Sequence, residues 1–389
     1  MAKKPQDPAI EMVSILSDLI ALPSPYPPGT STAIAAYAAW RLDNAGYAVE
    51  TARAVEGVDN VVARLKGRAR GPRVAFNAHV DTVGVGERAN WASDPFKALV
   101  KGGLVYGLGA GNCKGSMAVQ LWLAEEIARR GGPKTGELIF TFVADEENLG
   151  PNGMAFLRKS RRVRPDILIL GAQTENNLIV AERGVMWVRI TTKGRAAHAG
   201  KPEAGDNAIL RMMRLVGALQ AYYDKALRKR RAGPMASTVN VGQFHGGQNT
   251  NVVPSACTVE IDRRLLPGEK VRDAFAELKR VLGRAGEPKG SFEVEFLTGT
   301  NGFEAPPKGA GVAAFEAAIR AQASRKAKFL VATGVSDGRY YADDGIEIIN
   351  FGPGSGVQGH AANESVPVAE MVAAAGIQLD VVRRLVGLR

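Results

Sequence analysis

Near-continuous apolar runs alternate along the chain with segments of helical period. The runs NVVARL (60–65), RVAFNAHV (73–80), ELIFTFVA (137–144), DILILG (166–171) and IEIINFG (346–352) are rich in β-branched residues and short enough for buried strands. Between them, STAIAAYAAWRLDNAG and KGSMAVQLWLAEEIARRG carry apolar residues at helical spacing. This alternation predicts an α/β fold, a mostly parallel mixed sheet with helices on both faces. The middle of the chain changes character. VMWVRITTKG, DNAILRMMRLVGALQAYYDKALRKR, STVNVGQF, CTVEIDRRLL, GEKVRDAFAELKRVLGRAG and SFEVEFL read as strand, helix, two strands, helix and strand. That order is a ferredoxin-like α+β domain inserted into the larger one. The expected division is 1–183 and 297–389 for the larger domain and 184–296 for the insert.

The length of 389 residues suits two domains, and the composition, 46% hydrophobic and 23% charged, is that of a globular chain. The N-terminal stretch MAKKPQDPAIEMVSILSDLIAL reads as an amphipathic helix, and no segment reaches the apolar length of a membrane span. Cys113 and Cys257 form no CxxC pair, so neither a disulfide framework nor a zinc knot is expected. A cytoplasmic protein with no membrane partner is the expectation. The net charge of +11 raises a nucleic-acid reading, and RKSRRVRPD (158–166) and KALRKRR (225–231) are its best support. No stacking aromatics interleave these runs and no nucleic-acid motif accompanies them, so they read as solvated faces. Anionic small molecules are a better use of the excess charge.

Four stretches carry candidate chemistry. RVAFNAHVDTVG places His79 and Asp81 at the end of an apolar strand, where ligands of open α/β sheets gather. A metal could take one imidazole nitrogen while a carboxylate fixes the other, though a structural histidine fits the same pattern. VADEENLG sets Asp145, Glu146 and Glu147 side by side after another strand. They form either a solvated acidic turn or a ligand beside a general base. GLGAGNCKGS (107–116) opens a helix through a glycine-rich turn that is neither a Walker loop nor a GxGxxG fingerprint. GVQGHAANESV holds His360, one of only four histidines in the chain.

In this order, the stretches resemble the acetylornithine deacetylase, succinyl-diaminopimelate desuccinylase and carboxypeptidase G family, metallopeptidase family 20. The resemblance covers nearly the whole chain and implies a phosphorylase/hydrolase-like catalytic domain with a lid that also makes a homodimer. It implies His79, Glu147 and His360 as metal ligands, Asp81 as the orienting carboxylate and Glu146 as the general base. His198 in GRAAHAGKPEAGDNAI matches a lid histidine that stabilises the oxyanion in the partner subunit's site. Asn251, Arg264, Ser336 and Arg339 match positions that hold a substrate carboxylate, with Asp337 between the last two.

Two family positions differ. Asn112 stands where the family has an aspartate bridging two metals, and Ala172 in GAQT where it has another glutamate ligand. An amide offers one neutral oxygen for ligation and alanine none, so two dications would repel with little compensation. One divalent transition metal per subunit, Mn²⁺ or Zn²⁺, is therefore expected, held by His79, Asn112, Glu147 and His360. Glu175 is a weaker substitute because its strand phase needs a kink. The leading reading is a metal-dependent hydrolase of a C–N bond in a small carboxylate-bearing substrate, such as an N-acyl amino acid. A second is an aminohydrolase of an electron-poor aromatic amine such as 5-nitroanthranilate. A third is a non-catalytic carboxylate-binding protein. Cys113 as a nucleophile and His245 as more than a structural residue are the weakest alternatives.

Overall fold

The computed structural model describes residues 7–306, 308–332 and 334–389. They form two compact units, one of residues 7–180, 305–306, 308–330 and 336–389, the other of residues 181–304, 331–332 and 334–335. The second unit therefore reaches beyond the expected 184–296. Its edge strand Phe292–Thr300 runs on past the apolar stretch SFEVEFL, and Phe303–Glu304 then pairs with Ala181–Glu182. The polar sequence TGTNG gives no sign of either.

The first unit is built on an eight-stranded mixed sheet. Its order is Ala48–Val55, Val58–Lys66, Thr135–Val143, Ala69–His79, Ile167–Leu170, Glu347–Asn350, Leu178–Ile179, Phe329–Leu330. The four central strands, Thr135–Val143 to Glu347–Asn350, are parallel neighbours, as their unbroken apolar runs require. The helix Gly115–Arg129 links Ala69–His79 to Thr135–Val143 and is buried continuously from Gly115 to Ala124. Register sets Phe76 against Phe140, with rings stacked 5.0 Å apart, and His79 against Val143. The loops following these two strands thus leave from the same edge.

The N-terminal helix Pro8–Ile20 starts with proline at its first position and Asp7 accepting the Ala9 N–H at 2.9 Å. Met12, Ile15, Leu16 and Leu19 form its buried stripe, at the spacing of an amphipathic helix. No described helix is long and apolar enough to cross a membrane.

The second unit is a four-stranded antiparallel sheet, order Thr238–Gly246, Ala256–Leu265, Gly184–Lys193, Phe292–Thr300, with helices Ala208–Lys225 and Val271–Gly283. This is the ferredoxin-like order. Cys257, Val259, Ile261 and Leu265 alternate inward and meet Met212, Leu215 and Leu219 from one helix and Leu278 and Leu282 from the other.

Candidate metal centre

His79 is the last residue of its strand and is buried, so its ring is fixed from both sides. Nδ1 donates to the backbone carbonyl of Asp81 at 3.0 Å and lies 3.6 Å from the Asp81 carboxylate. The backbone oxygen is thus the nearer orienting group. The Asp81 carboxylate instead accepts the Glu147 N–H at 3.1 Å and ties the acidic loop to the histidine loop. Nε2 of His79 faces Asn112 Oδ1 at 3.3 Å and Glu146 Oε2 at 3.9 Å. Burial alone would lower the His79 imidazole pKa. Cys113 and Glu146 outweigh it and raise the group well above its ordinary value.

The three adjacent acids separate because Asp145 takes a positive φ of 66°. Asp145 turns to Asn152, accepting its backbone N–H at 3.0 Å and its side-chain amide at 2.9 Å. Glu146 turns to Arg339, whose Nη1 donates to Oε1 at 3.3 Å. Burial pushes the Glu146 carboxyl up to about 7, against the pull of His79 and Arg339. Glu147 faces Asn112 and His360.

Asn112 lies at a kink, φ −116° and ψ 97°, just before the helix Gly115–Arg129. Its Nδ2 donates to Glu147 Oε1 at 2.7 Å and lies 3.2 Å from His360 Nε2. His360 Nε2 is itself 2.9 Å from Glu147 Oε2. The side chains of His79, Asn112, Glu147 and His360 thus form one connected group. Among the described residues, His79, Glu146 and Glu147 also satisfy the distances for sharing a single ion, with ligand atoms within 4.8 Å of one another. Glu175 is outside that cluster and exposed, and Ala172 contributes no donor.

Glu364, Gln173 and Asn77 support the centre although the sequence assigns them no role. Glu364, buried, accepts backbone N–H groups from Gly109 at 2.5 Å and from Gly111 and Asn112 at 3.2 Å each. Its carboxylate holds the glycine-rich turn that presents Asn112. A run of free N–H groups in GAGN is the only sequence signal that such an acceptor must exist. Gln173 packs so close to Gly111 that a Cβ there would lie 2.4 Å from its Nε2. Asn77 donates to buried Asp337 at 3.1 Å, and Asp337 lies 3.8 Å from Arg339. Ser336 accepts from the Gly338 N–H at 3.3 Å and starts the turn that carries Arg339. Cys113 is buried, and burial raises its thiol pKa, the opposite of an activated nucleophile.

His198, Asn251 and Arg264 belong to the second unit. His198 is exposed, and Gly200 N–H donates to its Nδ1 at 3.0 Å. In the neutral ring, Nε2 then carries the proton and is the nitrogen able to donate outward. Ala199 N–H donates to the Asn251 carbonyl at 2.9 Å, so these two loops lie together. Arg264 donates to Asp262 at 2.8 Å and is half-buried. His245 is exposed on the edge strand Thr238–Gly246.

Imidazole and carboxylate donors at the C-terminal edge of an α/β sheet, with a ferredoxin-like insert, define a metallohydrolase. Residues 180–290 match the peptidase dimerisation domain family, and residues 60–174 match peptidase family M28. The chain is 27% identical to the N-formyl-4-amino-5-aminomethyl-2-methylpyrimidine deformylase of Bacillus subtilis, covering 98% of this chain and 96% of that one. It is 29% identical to a succinyl-diaminopimelate desuccinylase of Bordetella petrii, over 92% and 94%. The fold matches the M20 family metallo-carboxypeptidase Sso-CP2 of Sulfolobus solfataricus with a TM-score of 0.80 at 16% identity, over 97% and 99% of the two chains. The chain is thus similar over nearly its whole length to hydrolases of this kind, and it shares the fold of an M20 family metallopeptidase.

Proposed function

We propose that the protein hydrolyses the amide bond of a small N-acylated amine, using one divalent transition metal per subunit where the family pattern has two. The observation that carries this reading is the convergence of His79, Asn112, Glu147 and His360, with Glu146 beside them and Arg339 against Glu146. The relatives' names, a deformylase and a desuccinylase, favour a short acyl group.

The donor set fits one cation. Two imidazoles, one carboxylate and an amide oxygen are the mixed N and O ligation that Mn²⁺ and Zn²⁺ accept. His79, Glu147, His360 and the Asn112 carbonyl oxygen would hold it, and the cation would supply Lewis acidity toward water and the scissile carbonyl. Only Glu147 among these four carries a formal negative charge, too little to hold two dications a few Å apart.

Glu146 serves as proton acceptor for the attacking water and returns the proton to the leaving amine. Burial raises its carboxyl above the ordinary carboxylate range, a direction that favours taking up a proton. Arg339 steadies Glu146, and Asp337 keeps Arg339 in place. His198, through its protonated Nε2, is the candidate donor to the developing oxyanion in a second copy of the chain, and Asn251, Arg264 and Ser336 are candidates for holding the substrate.

A panel of N-formyl, N-acetyl and N-succinyl amines, assayed with the metal-loaded protein, tests the reading. Chelator-sensitive release of acid and amine in equal amounts supports it. Turnover confined to amino-nitrobenzoates with release of ammonia moves the assignment to an aromatic aminohydrolase, and no turnover on either panel moves it to a binding protein.

A further inference from the structure

The basic run RKSRRVR (158–164), read from the sequence as a solvated face, lines a cavity of about 720 Å³ in the first unit. The lining also includes Arg73, Asp166 and Tyr341. Arg73 precedes His79 on the same strand, so the cavity lies toward the other end of the sheet, roughly 20 Å from the metal centre at the rise of extended chain.

Cations outnumber acids in this lining. Asp166 is engaged by Arg73 at 2.7 Å, and Asp344 by Arg158. Lys159, Arg161 and Arg164 also line the cavity and are exposed, and among the described residues no acid pairs with them. Arg161 stands directly after the helix Met154–Lys159 and its cap Ser160 with φ at 60°, a conformation glycine takes without strain. The backbone bonds Arg161 N–H to Arg158 O and Arg162 N–H to Leu157 O, both 2.9 Å, close the helix end there. An arginine therefore occupies a glycine's position, with its side chain on the cavity.

We propose that this cavity binds a compact small molecule carrying two or more phosphate groups. The volume lies within the usual range for small-ligand pockets, and guanidinium forks match phosphate oxygens bidentately. A nucleic acid fits less well. The aromatic in the lining, Tyr341, is buried with its hydroxyl donating to Val163 O at 3.0 Å, so it offers no face for base stacking. Tyr341 also ends the short turn Asp337–Tyr341 that carries Arg339, which places the cavity one turn from a residue touching Glu146.

The test is calorimetric titration of fructose 1,6-bisphosphate into the metal-loaded full-length protein at low salt. The variants are Arg161→Gly with Arg164→Ala, and a charge-matched control, Arg228→Ala with Lys229→Ala, in the other basic run. Wild type and control are expected to bind one bisphosphate per subunit with equal affinity. The cavity variant is expected to bind about tenfold more weakly at an unchanged melting temperature. Glycine suits the backbone at position 161, and Lys159→Ala, expected to weaken binding about threefold, repeats the test without touching that turn. No saturable binding, or equal weakening in cavity and control variants, would overturn the proposal. So would cavity-dependent binding of a short single-stranded DNA without binding of the bisphosphate.

Discussion

Asp145, Glu146 and Glu147 follow one another in the chain yet end on Asn152, Arg339 and the Asn112–His360 pair, because a positive φ at Asp145 turns the loop. On the proposed reading, that separation leaves one acid for structure, one for proton transfer and one for metal binding. Glu146→Gln is therefore expected to lower kcat by about 10² to 10⁴-fold while KM and metal content stay near wild type, measured by steady-state kinetics and elemental analysis. Restoring the family's charges with Asn112→Asp and Ala172→Glu together is expected to raise bound metal from one to two per subunit. At Gly111 a methyl group would meet Gln173 Nε2 at 2.4 Å, the end of a flexible side chain that can swing aside, so Gly111→Ala is expected to lower activity less than about tenfold, measured by steady-state kinetics. Most of the residues of the candidate centre could be picked out in the sequence because each lies in a distinctive stretch, His79 at a strand end, Glu146 and Glu147 just past another, Asn112 in a glycine-rich turn and His360 in a loop. Glu364 was not, since its partners are backbone N–H groups far away in the chain. Nor was the role of the Asp81 backbone carbonyl, because sequence names side chains and not the carbonyl nearest to a ring nitrogen.

The parallel pairing of Ala69–His79 with Thr135–Val143 is the element that assembles the site, since it sets His79 beside Val143 and brings both loops to one edge. Both strands could be read from their apolar runs, whereas the two-residue pairing of Ala181–Glu182 with Phe303–Glu304 is too short to leave a periodic signal. In the second unit, the helix Val271–Gly283 is clasped through Glu277. This carboxylate accepts from Tyr222 at 2.6 Å, Arg230 at 2.5 Å and Arg263 at 2.7 Å. Burial alone would raise its pKa, but these donors outweigh burial and hold it at about 2, below the ordinary 4.5. A lowered carboxyl pKa contributes stability that is fully present above about 4.5 and is lost as pH falls toward about 2. Glu277→Gln is expected to lower the melting temperature by several degrees at pH 7, with the gap from wild type closing as the pH falls through that window in a thermal melt series.

At the scale of the whole molecule, the match to a peptidase dimerisation domain and the outward-donating Nε2 of His198 bear on assembly. If each site uses the His198 of a second copy, Glu146→Gln and His198→Ala subunits are each nearly inactive alone. Mixed and allowed to exchange, they should recover about a quarter of wild-type activity, because half the dimers then carry one intact site. No recovery on exchange would place His198 in its own subunit's site or outside the chemistry. The measurement that tests the central claim most directly is metal content per subunit by elemental analysis of untagged protein, taken with amidohydrolase activity before and after chelation. The account predicts close to one divalent transition metal per subunit, with hydrolysis lost on chelation and restored by adding back a single equivalent. Two metals per subunit, or full activity in metal-free protein, would contradict it.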